Sequence, residues 1–413
     1  MDTGDKKVQT DKKDNIINKK YFDKYFCIKK LGEGSFGNIY EAEYNGEHYA
    51  LKFEKIGNNE NFLENEAVIM NYLKGPYIPY IKFYGSNEYN NILVMQLLGK
   101  NLEHLFEERK KFSLKTVCML GYQFVEILEY IHNRHILHRD IKPDNFVMGI
   151  NNLSKYVYLL DFGLAKKYRS HKTLKQIPFS NTKKVVGTTR YASINALSGF
   201  EHSRKDDLEA AGYILVYFLK GKLPWQGITS KDKVERYRKI LKKKIDTSPK
   251  ELCDGLPVEF EQYISYTRNL DYYEEPNYQM LRRLFISILE KEGLNFDYIY
   301  DWTTPEESLN INASSNKGEL ESIQNKKSTF TSSRQIEDNF EENNELNLFN
   351  NKNAIISNIN NFKPNNDIIT YNKRNNHYKE SEEAIIFSKR KDYLNTINNE
   401  EDVVCCTSDC NIF

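Results

Sequence analysis

Long apolar runs are missing from this chain of 413 residues. A helix that crosses a membrane needs about 20 consecutive apolar residues, and no segment approaches that length. The first 20 residues are rich in charge and lack the apolar stretch of a secretion signal. These absences argue against a membrane-spanning or secreted protein and predict one that faces the cytoplasm.

A large excess of one charge is also missing, because 59 basic and 58 acidic residues leave a net charge of +1. We therefore expect no nucleic-acid partner, since bulk attraction to nucleic acid requires a basic surface. Only six cysteines are present, and Cys27, Cys118 and Cys253 stand in apolar or mixed segments without the spacing of a metal cluster. We expect these three to be buried thiols and not a disulfide framework.

Composition divides the chain into four parts. Residues 21–98 alternate short β-branched or aromatic stretches around one helix, which is typical of a small sheet-rich lobe. Residues 99–302 repeat apolar side chains at three- and four-residue steps, which predicts a larger helical lobe. The sequence thus predicts an α+β fold of two lobes after a flexible extension over residues 1–20. Residues 303–413, rich in Asn, Ser, Glu and Lys, are expected to be a disordered tail, because they bury too little apolar surface to offset conformational entropy.

Helices are predicted in both lobes from the spacing of apolar residues. Residues 208–219 are apolar almost all round, so this helix is expected at the centre of the second lobe. The predicted helices span residues 63–73, 114–133, 208–219, 231–244, 258–270 and 278–291.

The most informative segment reads HRDIKPDN over residues 138–145 and is followed by DFG at residues 161–163. These motifs place a proton acceptor, a phosphate-facing lysine and two magnesium-binding side chains in the order that a protein kinase catalytic loop requires. Moving the γ-phosphoryl group of ATP to a hydroxyl depends mostly on alignment and on neutralising charge. The motifs therefore predict a phosphotransferase that uses ATP and Mg²⁺.

Each residue of these motifs has an expected role. Asp140 would accept the hydroxyl proton, and Lys142 would reach the transferring phosphate, a lysine position that suits Ser/Thr kinases. Asn145 and Asp161 offer the oxygen ligands that magnesium prefers. Arg139 is expected to brace the loop. Asp207, near the start of the central helix, is expected to hold the loop backbone.

A glycine-rich string, LGEGSFGNIY, occupies residues 31–40. Its three glycines let a strand-turn-strand approach phosphates without side chains in the way. A G-x-G-x-x-G pattern also occurs in dinucleotide-binding folds, but there it opens a helix, whereas residues 38–43 alternate like a strand. The kinase interpretation is therefore favoured. The residues of this string expected to line the nucleotide site are Leu31, Gly32, Gly34, Ser35, Gly37 and Ile39.

A short strand over residues 49–53 carries Lys52 where the ATP-binding lysine of a kinase belongs, with Ala50 also facing the nucleotide. Glu66 lies on the predicted helix 63–73, and we expect it to form an ion pair with Lys52. Taken singly, a lysine and a glutamate are usually exposed surface charges. Only their order relative to the other motifs favours the functional interpretation.

A set of longer motifs carries a family resemblance. Where most protein kinases have Ala-Pro-Glu after the activation loop, this chain has another sequence. The sequence at that place is GTTRYASIN, over residues 187–195. Three further motifs accompany it: DFGLAKKYR at 161–169, SRKDDLE at 203–209 and LPWQG at 223–227. With these motifs, the chain closely resembles the casein kinase 1 family from about residue 21 to residue 302. Gln96, where members of that family commonly have Glu, and Lys205, in place of Arg, are departures that do not touch the catalytic roles.

The resemblance implies a bilobal protein kinase fold and a Ser/Thr kinase, expected to be a monomer, that is active without activation-loop phosphorylation. It also implies protein substrates with acidic or phosphorylated residues upstream of the acceptor. Met95 would lie behind the adenine ring, and Leu98 would offer hinge backbone groups to it. Arg190, Lys183 and Arg236 match family positions that bind anions near the substrate groove. The alternative is that these are basic residues on a solvated face.

The last four residues, Cys410 to Phe413, fit a C-a-a-X prenylation signal, and Cys405 and Cys406 are candidates for palmitate. Two lipids hold a protein at a membrane, whereas one gives only marginal binding. Some casein kinase 1 relatives end in lipidated cysteines behind a long polar tail. We expect the kinase at the cytoplasmic face of a membrane, and the alternative is an unmodified tail on a soluble cytoplasmic or nuclear protein.

Two other functions compete with this interpretation. A pseudokinase or scaffold should have lost at least one of Lys52, Asp140, Asn145 or Asp161, yet all four are present. A tyrosine or small-molecule kinase would share the ATP machinery, but not Lys142 together with the family-specific loop.

Overall fold

The computed structural model describes residues 16–34, 37–57, 62–170, 173–181 and 184–309, together with the backbone of residues 404–405. Ser35, Lys183, Cys406, Cys410 and most of the predicted tail lie outside the described residues. What the sequence predicts for them stays a prediction.

The first lobe consists of an antiparallel sheet and one helix. Its elements are β1 (Lys20–Tyr21), β2 (Tyr25–Gly34), β3 (Gly37–Tyr44), β4 (Glu47–Lys55), α1 (Phe62–Leu73), β5 (Ile81–Ser86) and β6 (Asn90–Gln96). Across the sheet the strands follow the order β1-β2-β3-β4-β6-β5, and every neighbouring pair is antiparallel. Asn45 and Gly46 join β3 to β4, both with positive φ, as a two-residue hairpin turn requires.

Alternation along β4 separates the two faces of this sheet. Tyr49, Leu51 and Phe53 belong to a buried aromatic and aliphatic cluster on one face. Because successive side chains of a strand point to opposite faces, Ala50 and Lys52 lie on the other face. The register of one strand thus directs the predicted ATP-binding lysine away from the aromatic core.

The first lobe begins earlier in the chain than its predicted boundary at residue 21. Ile16 and Ile17 pack against the aromatic cluster, and Lys20 pairs with Phe26 in the sheet. Two isoleucines among charged and polar neighbours carry no strand or helix periodicity, so the sequence gives little sign of this packing. Residues 16–20 are therefore part of the lobe and not of a flexible extension.

The second lobe is mainly helical. Its helices are α2 (Leu102–Arg109), α3 (Leu114–Asn133), α4 (Ile194–Leu197), α5 (Arg204–Lys220), α6 (Lys233–Asp246), α7 (Pro249–Leu252), α8 (Val258–Asn269) and α9 (Tyr278–Lys291). Its strands are β7 (Ile136–Leu137), β8 (Phe146–Met148), β9 (Val157–Leu159), β10 (Lys166–Lys167) and β11 (Lys184–Val185), the last paired in parallel with β12 (Val404–Cys405). Short 3₁₀ turns occupy Pro143–Asn145, Asn151–Leu153 and Phe162–Leu164.

The six predicted helices are confirmed, and their bounds differ from the predicted ones by at most four residues. Helix α5 is buried along nearly its whole length but begins at Arg204, where the Asp206 carboxylate accepts a hydrogen bond from the backbone N of Ser203 at 2.7 Å. Helix α6 begins two residues later than predicted, because the side chain of Asp232 accepts hydrogen bonds from the first-turn backbone N–H groups. Helices α3 and α9 have the predicted bounds.

The described residues confirm the predicted fold class, an α+β arrangement of a small β-rich lobe and a larger helical lobe. Cys27, Cys118 and Cys253 are buried free thiols, as expected. Within the described part of the chain, no helix is both long and apolar enough to cross a membrane.

Candidate active site

Lys52, Glu66 and Asp161 form a buried cluster of three charges. Lys52 Nζ, on β4, lies 2.6 Å from Glu66 Oε2, on α1, and 3.0 Å from Asp161 Oδ1. All three side chains are at most 9% exposed. The predicted ion pair between Lys52 and Glu66 is confirmed, and a second carboxylate shares the same ammonium.

Burial disfavours the charged form of each group in this cluster, and the neighbouring charges determine the direction in which each pKa shifts. Burial alone lowers the pKa of Lys52, but Asp161 and Glu66 outweigh it and raise that pKa overall. Burial acts to raise the pKa of Asp161, yet Lys52 and Lys142 hold it below its ordinary value. For Glu66, burial dominates and the pKa is raised. Asp161 is therefore kept in the ionised form that a metal ligand requires.

Asp140 is fixed at both oxygens of its carboxylate. Its Oδ1 accepts hydrogen bonds from the backbone N and the hydroxyl of Thr188, at 2.8 and 2.9 Å. Its Oδ2 lies 3.0 Å from Lys142 Nζ. The predicted proton acceptor and the predicted phosphate-facing lysine are thus in direct contact, and the segment around Thr188 is bound to them.

Gly187 allows this segment to approach the catalytic loop. Its φ is +88°, a conformation that favours glycine, and a Cβ atom there would lie 2.4 Å from the carbonyl oxygen of Arg139. Any side chain at residue 187 would push the loop and the segment apart.

The backbone of the catalytic loop is held by a buried carboxylate, as predicted. Asp207 Oδ2 accepts a hydrogen bond from the backbone N of His138 at 2.8 Å, and Oδ1 accepts one from Arg139 at 2.9 Å. His132 Nε2 lies 3.0 Å from Asp207 Oδ2 and orients the carboxylate. Although burial acts against ionisation, His132 and His138 hold the pKa of Asp207 below its ordinary value. Arg139 braces the loop by donating from Nε to the Leu164 carbonyl at 2.7 Å.

Asp161 adopts a left-handed backbone conformation, with φ 66° and ψ 63°. Residues other than glycine seldom do so, and such strain gathers at functional sites. The following turn is fixed by its surroundings: Phe162 is fully buried against His138, with ring centroids 5.0 Å apart. Asn65 Nδ2, on α1, donates to the Gly163 carbonyl at 3.0 Å. The helix that carries Glu66 is thereby tied to the motif that carries Asp161.

The oxygen ligands predicted for magnesium are Asn145 and Asp161. Asn145 Nδ2 donates to the Asp140 backbone carbonyl at 2.8 Å, which leaves its side-chain oxygen as the ligand atom. Among the residues described, no group of three or more His, Cys, Asp or Glu is placed to hold a metal. Two oxygen donors suit an ion that takes its other ligands from phosphates and water, as Mg²⁺ does in phosphotransferases.

Strand register gathers the side chains predicted to surround the nucleotide. Met95 on β6 pairs with Ala50 on β4, and Ile39 on β3 pairs with Lys52. Directly paired residues share a face of the sheet, so these side chains all lie on the face of Lys52. Leu98 follows β6 and is half-buried. Leu31, on β2, is exposed.

The glycines of the glycine-rich string differ in their surroundings. A Cβ atom on Gly37 would lie 1.6 Å from the carbonyl oxygen of Phe53, whereas one on Gly32 would meet nothing within 4 Å. Gly37 pairs with Gly34 at the end of the β2–β3 hairpin. Gly37 is thus required by close packing of β3 on β4, a role that the sequence pattern does not reveal.

Two of the three predicted anion-binding residues are described. Arg190 is one-third exposed, and its backbone carbonyl accepts hydrogen bonds from Trp225 Nε1 at 2.7 Å and Lys244 Nζ at 3.1 Å. Lys244 lies on α6, the same helix as the exposed Arg236. Lys183 lies outside the described residues, as do Ser35, Cys406 and Cys410, and only the backbone of Cys405 is described.

Some residues of the site were not singled out from the sequence. Thr188 stands inside the GTTRYASIN motif, so the motif itself was a signal for it. Asn65 and His132 carry no such signal, since an isolated asparagine or histidine on a helix is most often structural. Their roles depend on contacts between segments far apart in the chain.

A comparison with known families agrees with this geometry. The family model described as protein kinase domain matches residues 25–284. That span contains Lys52, Glu66, the catalytic loop and Asp161.

Proposed function

Because the chain belongs to the protein kinase domain family, we propose that it is a casein kinase 1 type enzyme that transfers the γ-phosphoryl group of ATP to serine or threonine. Its substrates would be proteins with acidic or phosphorylated residues upstream of the acceptor. The observation that carries the proposal is the Asp140 carboxylate held between Thr188 and Lys142. Through this contact, the catalytic loop common to protein kinases is bound to the GTTRYASIN segment, which stands where most protein kinases have Ala-Pro-Glu.

In the proposed reaction, Asp140 accepts the proton of the substrate hydroxyl, and Lys142 donates to the transferring phosphoryl group. Lys52, held by Glu66, neutralises charge on the nucleotide phosphates. Asn145 and Asp161 would hold Mg²⁺. When bound, ATP supplies the phosphoryl group and Mg²⁺ offsets the charge of the phosphate oxygens. The protein contributes alignment, because its catalytic side chains are already fixed by hydrogen bonds.

The preference for acidic or primed substrates is supported by the basic residues near the acceptor site. Arg190 follows two residues after Thr188, which contacts Asp140, and its side chain is one-third exposed. A guanidinium presents a planar set of donors that suits phosphate. Arg236 is exposed and adds positive charge on α6.

A catalytically inactive scaffold is disfavoured by the same contacts. Lys52, Asp140, Asn145 and Asp161 are all present, and each is less than 9% exposed and hydrogen-bonded or ion-paired to another residue of the site. A scaffold would not need this arrangement of partnered buried charges, which costs free energy of desolvation.

Attachment to a membrane is a further part of the proposal. Cys410, Cys405 and Cys406 would carry the prenyl and palmitoyl groups, and the polar tail would be the tether. The intact mass of the C-terminal peptide, taken from protein purified from its native cells, tests this. Added lipid mass supports it, and an unmodified peptide contradicts it.

The central test is transfer of labelled phosphate from ATP to casein, followed by identification of the phosphoamino acid. We expect phosphoserine and phosphothreonine, and no label when magnesium is removed with a chelator. Phosphotyrosine as the main product would overturn the assignment of acceptor. Absence of incorporation with intact protein and magnesium would favour the scaffold.

A further inference from the structure

Glu103 is a carboxylate that the proposed reaction does not use, although it lies beside the anion-binding arginine. It occupies the first turn of α2, where Asn101 caps the helix. Its side chain is 18% exposed, and Oε1 lies 3.6 Å from Arg190 Nη1. The hydroxyl of Tyr217 donates to the same oxygen at 3.2 Å. Glu103 is thus an internal counter-ion for Arg190.

The pairing of Glu103 is incomplete. Its second oxygen, Oε2, is buried and has no hydrogen-bond partner. Burial, reinforced by the nearby negative charge of Asp144, raises the pKa of Glu103 to about 7. A carboxylate that is buried, half-satisfied and close to another acid is costly to keep charged.

Arg190 has a geometry that leaves room for a second anion. Its Nη1 also lies 3.4 Å from the Tyr191 hydroxyl, and its guanidinium lies 5.7 and 5.9 Å from the ring centroids of Tyr191 and Tyr217. Besides these contacts and the one with Glu103, one-third of the Arg190 side chain remains exposed. A substrate anion that binds the exposed part would lie near the Glu103 carboxylate, which repels it.

We propose that Glu103 sets the selectivity for anionic substrates: its carboxylate neutralises Arg190 in the free enzyme and weakens binding of substrate phosphate or acidic side chains to that arginine. The inference rests on the proposed function, because it assumes that Arg190 receives the substrate anion. Glu103 is a specificity-determining residue and does not touch the reacting atoms. The negative charge of Glu103 weakens the binding of any substrate anion to Arg190. Peptides with a strongly anionic group therefore bind better than peptides that are only weakly acidic.

Glu103→Gln is the direct test, because glutamine keeps the size of the side chain and an oxygen to accept from Tyr217. Steady-state kinetics would use three peptides that differ only at the upstream position: phosphoserine, aspartate and alanine. At pH 8, above the pKa of about 7 that burial gives Glu103, we expect KM for the two anionic peptides to fall about fivefold, with the larger relative gain for aspartate, since a nearly full negative charge is then removed at close range. The kcat values, KM for ATP and KM for the alanine peptide should stay within about twofold.

Glu108→Gln is the matched control, since Glu108 lies on the same helix, is exposed and pairs with Lys100. It removes the same charge without a contact to Arg190 and should leave all three KM values unchanged. The double variant Arg190→Gln/Glu103→Gln completes the design. In the Arg190→Gln background, the Glu103 substitution should no longer lower KM, because the arginine through which it acts is absent. Thermal unfolding of each variant checks that the fold is intact.

Three outcomes would overturn the inference. A rise of KM for anionic peptides in Glu103→Gln would show that Glu103 positions Arg190 and does not compete for it. Unchanged KM values in a folded variant would show that Glu103 is only structural. An equal fall in KM for the alanine peptide would show a general effect on the groove. If the wild type phosphorylates all three peptides equally well, the primed-substrate part of the proposed function fails first, and if it phosphorylates none, the kinase assignment does.

Discussion

The two lobes position their catalytic side chains by different means. In the first lobe, Lys52 reaches the site through strand register, because it alternates on β4 with residues of the aromatic cluster. In the second lobe, Asp140 lies on irregular backbone and is fixed by side chains from elsewhere. Thr188, which contacts the Asp140 carboxylate, lies 48 residues later in the sequence. Asp207, which holds the loop backbone at His138, lies 69 residues after that histidine. One lobe therefore depends on a repeating pattern, and the other on a few particular hydrogen bonds.

This difference implies different responses to mutation. A sheet distributes the placement of Lys52 over many backbone hydrogen bonds, so a single defect should affect stability more than chemistry. The placement of the catalytic loop depends on the Asp207 carboxylate and on the contacts of Asp140 with Thr188 and Lys142, so a single defect there should affect chemistry more than stability. Among Asp161→Asn, Asp207→Asn and Gly37→Ala, the expected effect on phosphoryl transfer decreases in that order.

Asp161→Asn should have the largest effect. The substitution removes the charge that Lys52 and Lys142 hold in ionised form, and so weakens the proposed magnesium site. We expect transfer to fall at least about 10³-fold. Single-turnover transfer measured over a range of magnesium concentrations checks this. Near-normal turnover at ordinary magnesium would contradict the assignment of Asp161 as a ligand.

Asp207→Asn should have an intermediate effect. An amide at this position presents N–H groups to the backbone N–H of His138 or Arg139, so one of the two hydrogen bonds is lost. We expect kcat to fall about 10²-fold, because a loop displaced by about 1 Å misaligns Asp140, while KM for ATP changes little. Asp254→Asn, at an exposed position, is the control. A change in KM for ATP with kcat intact would contradict the separate dependence of the two lobes.

Gly37→Ala should have the smallest effect on the rate of phosphoryl transfer by the folded enzyme and a clear effect on the free energy of unfolding. The added methyl group would meet the carbonyl of Phe53, so β3 and β4 must separate. We expect the free energy of unfolding to fall by about 1–3 kcal/mol. Gly32→Ala is the matched control, since a Cβ atom there has open space and should leave stability nearly unchanged. Equal stability of the two variants in chemical denaturation would contradict the packing role of Gly37.

The same contrast explains what the sequence could and could not predict. Helices α3 and α9 have the predicted bounds because their apolar spacing is regular over four to six turns. The Lys52–Glu66 ion pair was predictable because both residues stand in a recognisable order of motifs. The contact between Asn65 and Gly163 was not, since it joins two segments 98 residues apart and neither residue type demands it.

Contacts made by residues outside any regular apolar spacing also could not be predicted from the sequence. Ile16 and Ile17 extend the first lobe although they stand in a polar segment. The close approach of Gly37 to Phe53 depends on how two strands meet, which a glycine in a phosphate-binding pattern does not reveal. Glu103 and Arg190 are 87 residues apart, and only the fold shows that the arginine predicted to bind anions already has an internal partner.

The most direct test of the central claim compares the wild type with Asp140→Asn in two parallel measurements, phosphoryl transfer to casein and binding of ATP. Asp140 is fixed by Lys142 and Thr188 and is proposed to act on the substrate hydroxyl, so its neutral amide should lower turnover at least about 10³-fold and change the Kd for ATP no more than about twofold. Near-normal turnover of the folded variant would contradict the claim that this carboxylate accepts the proton.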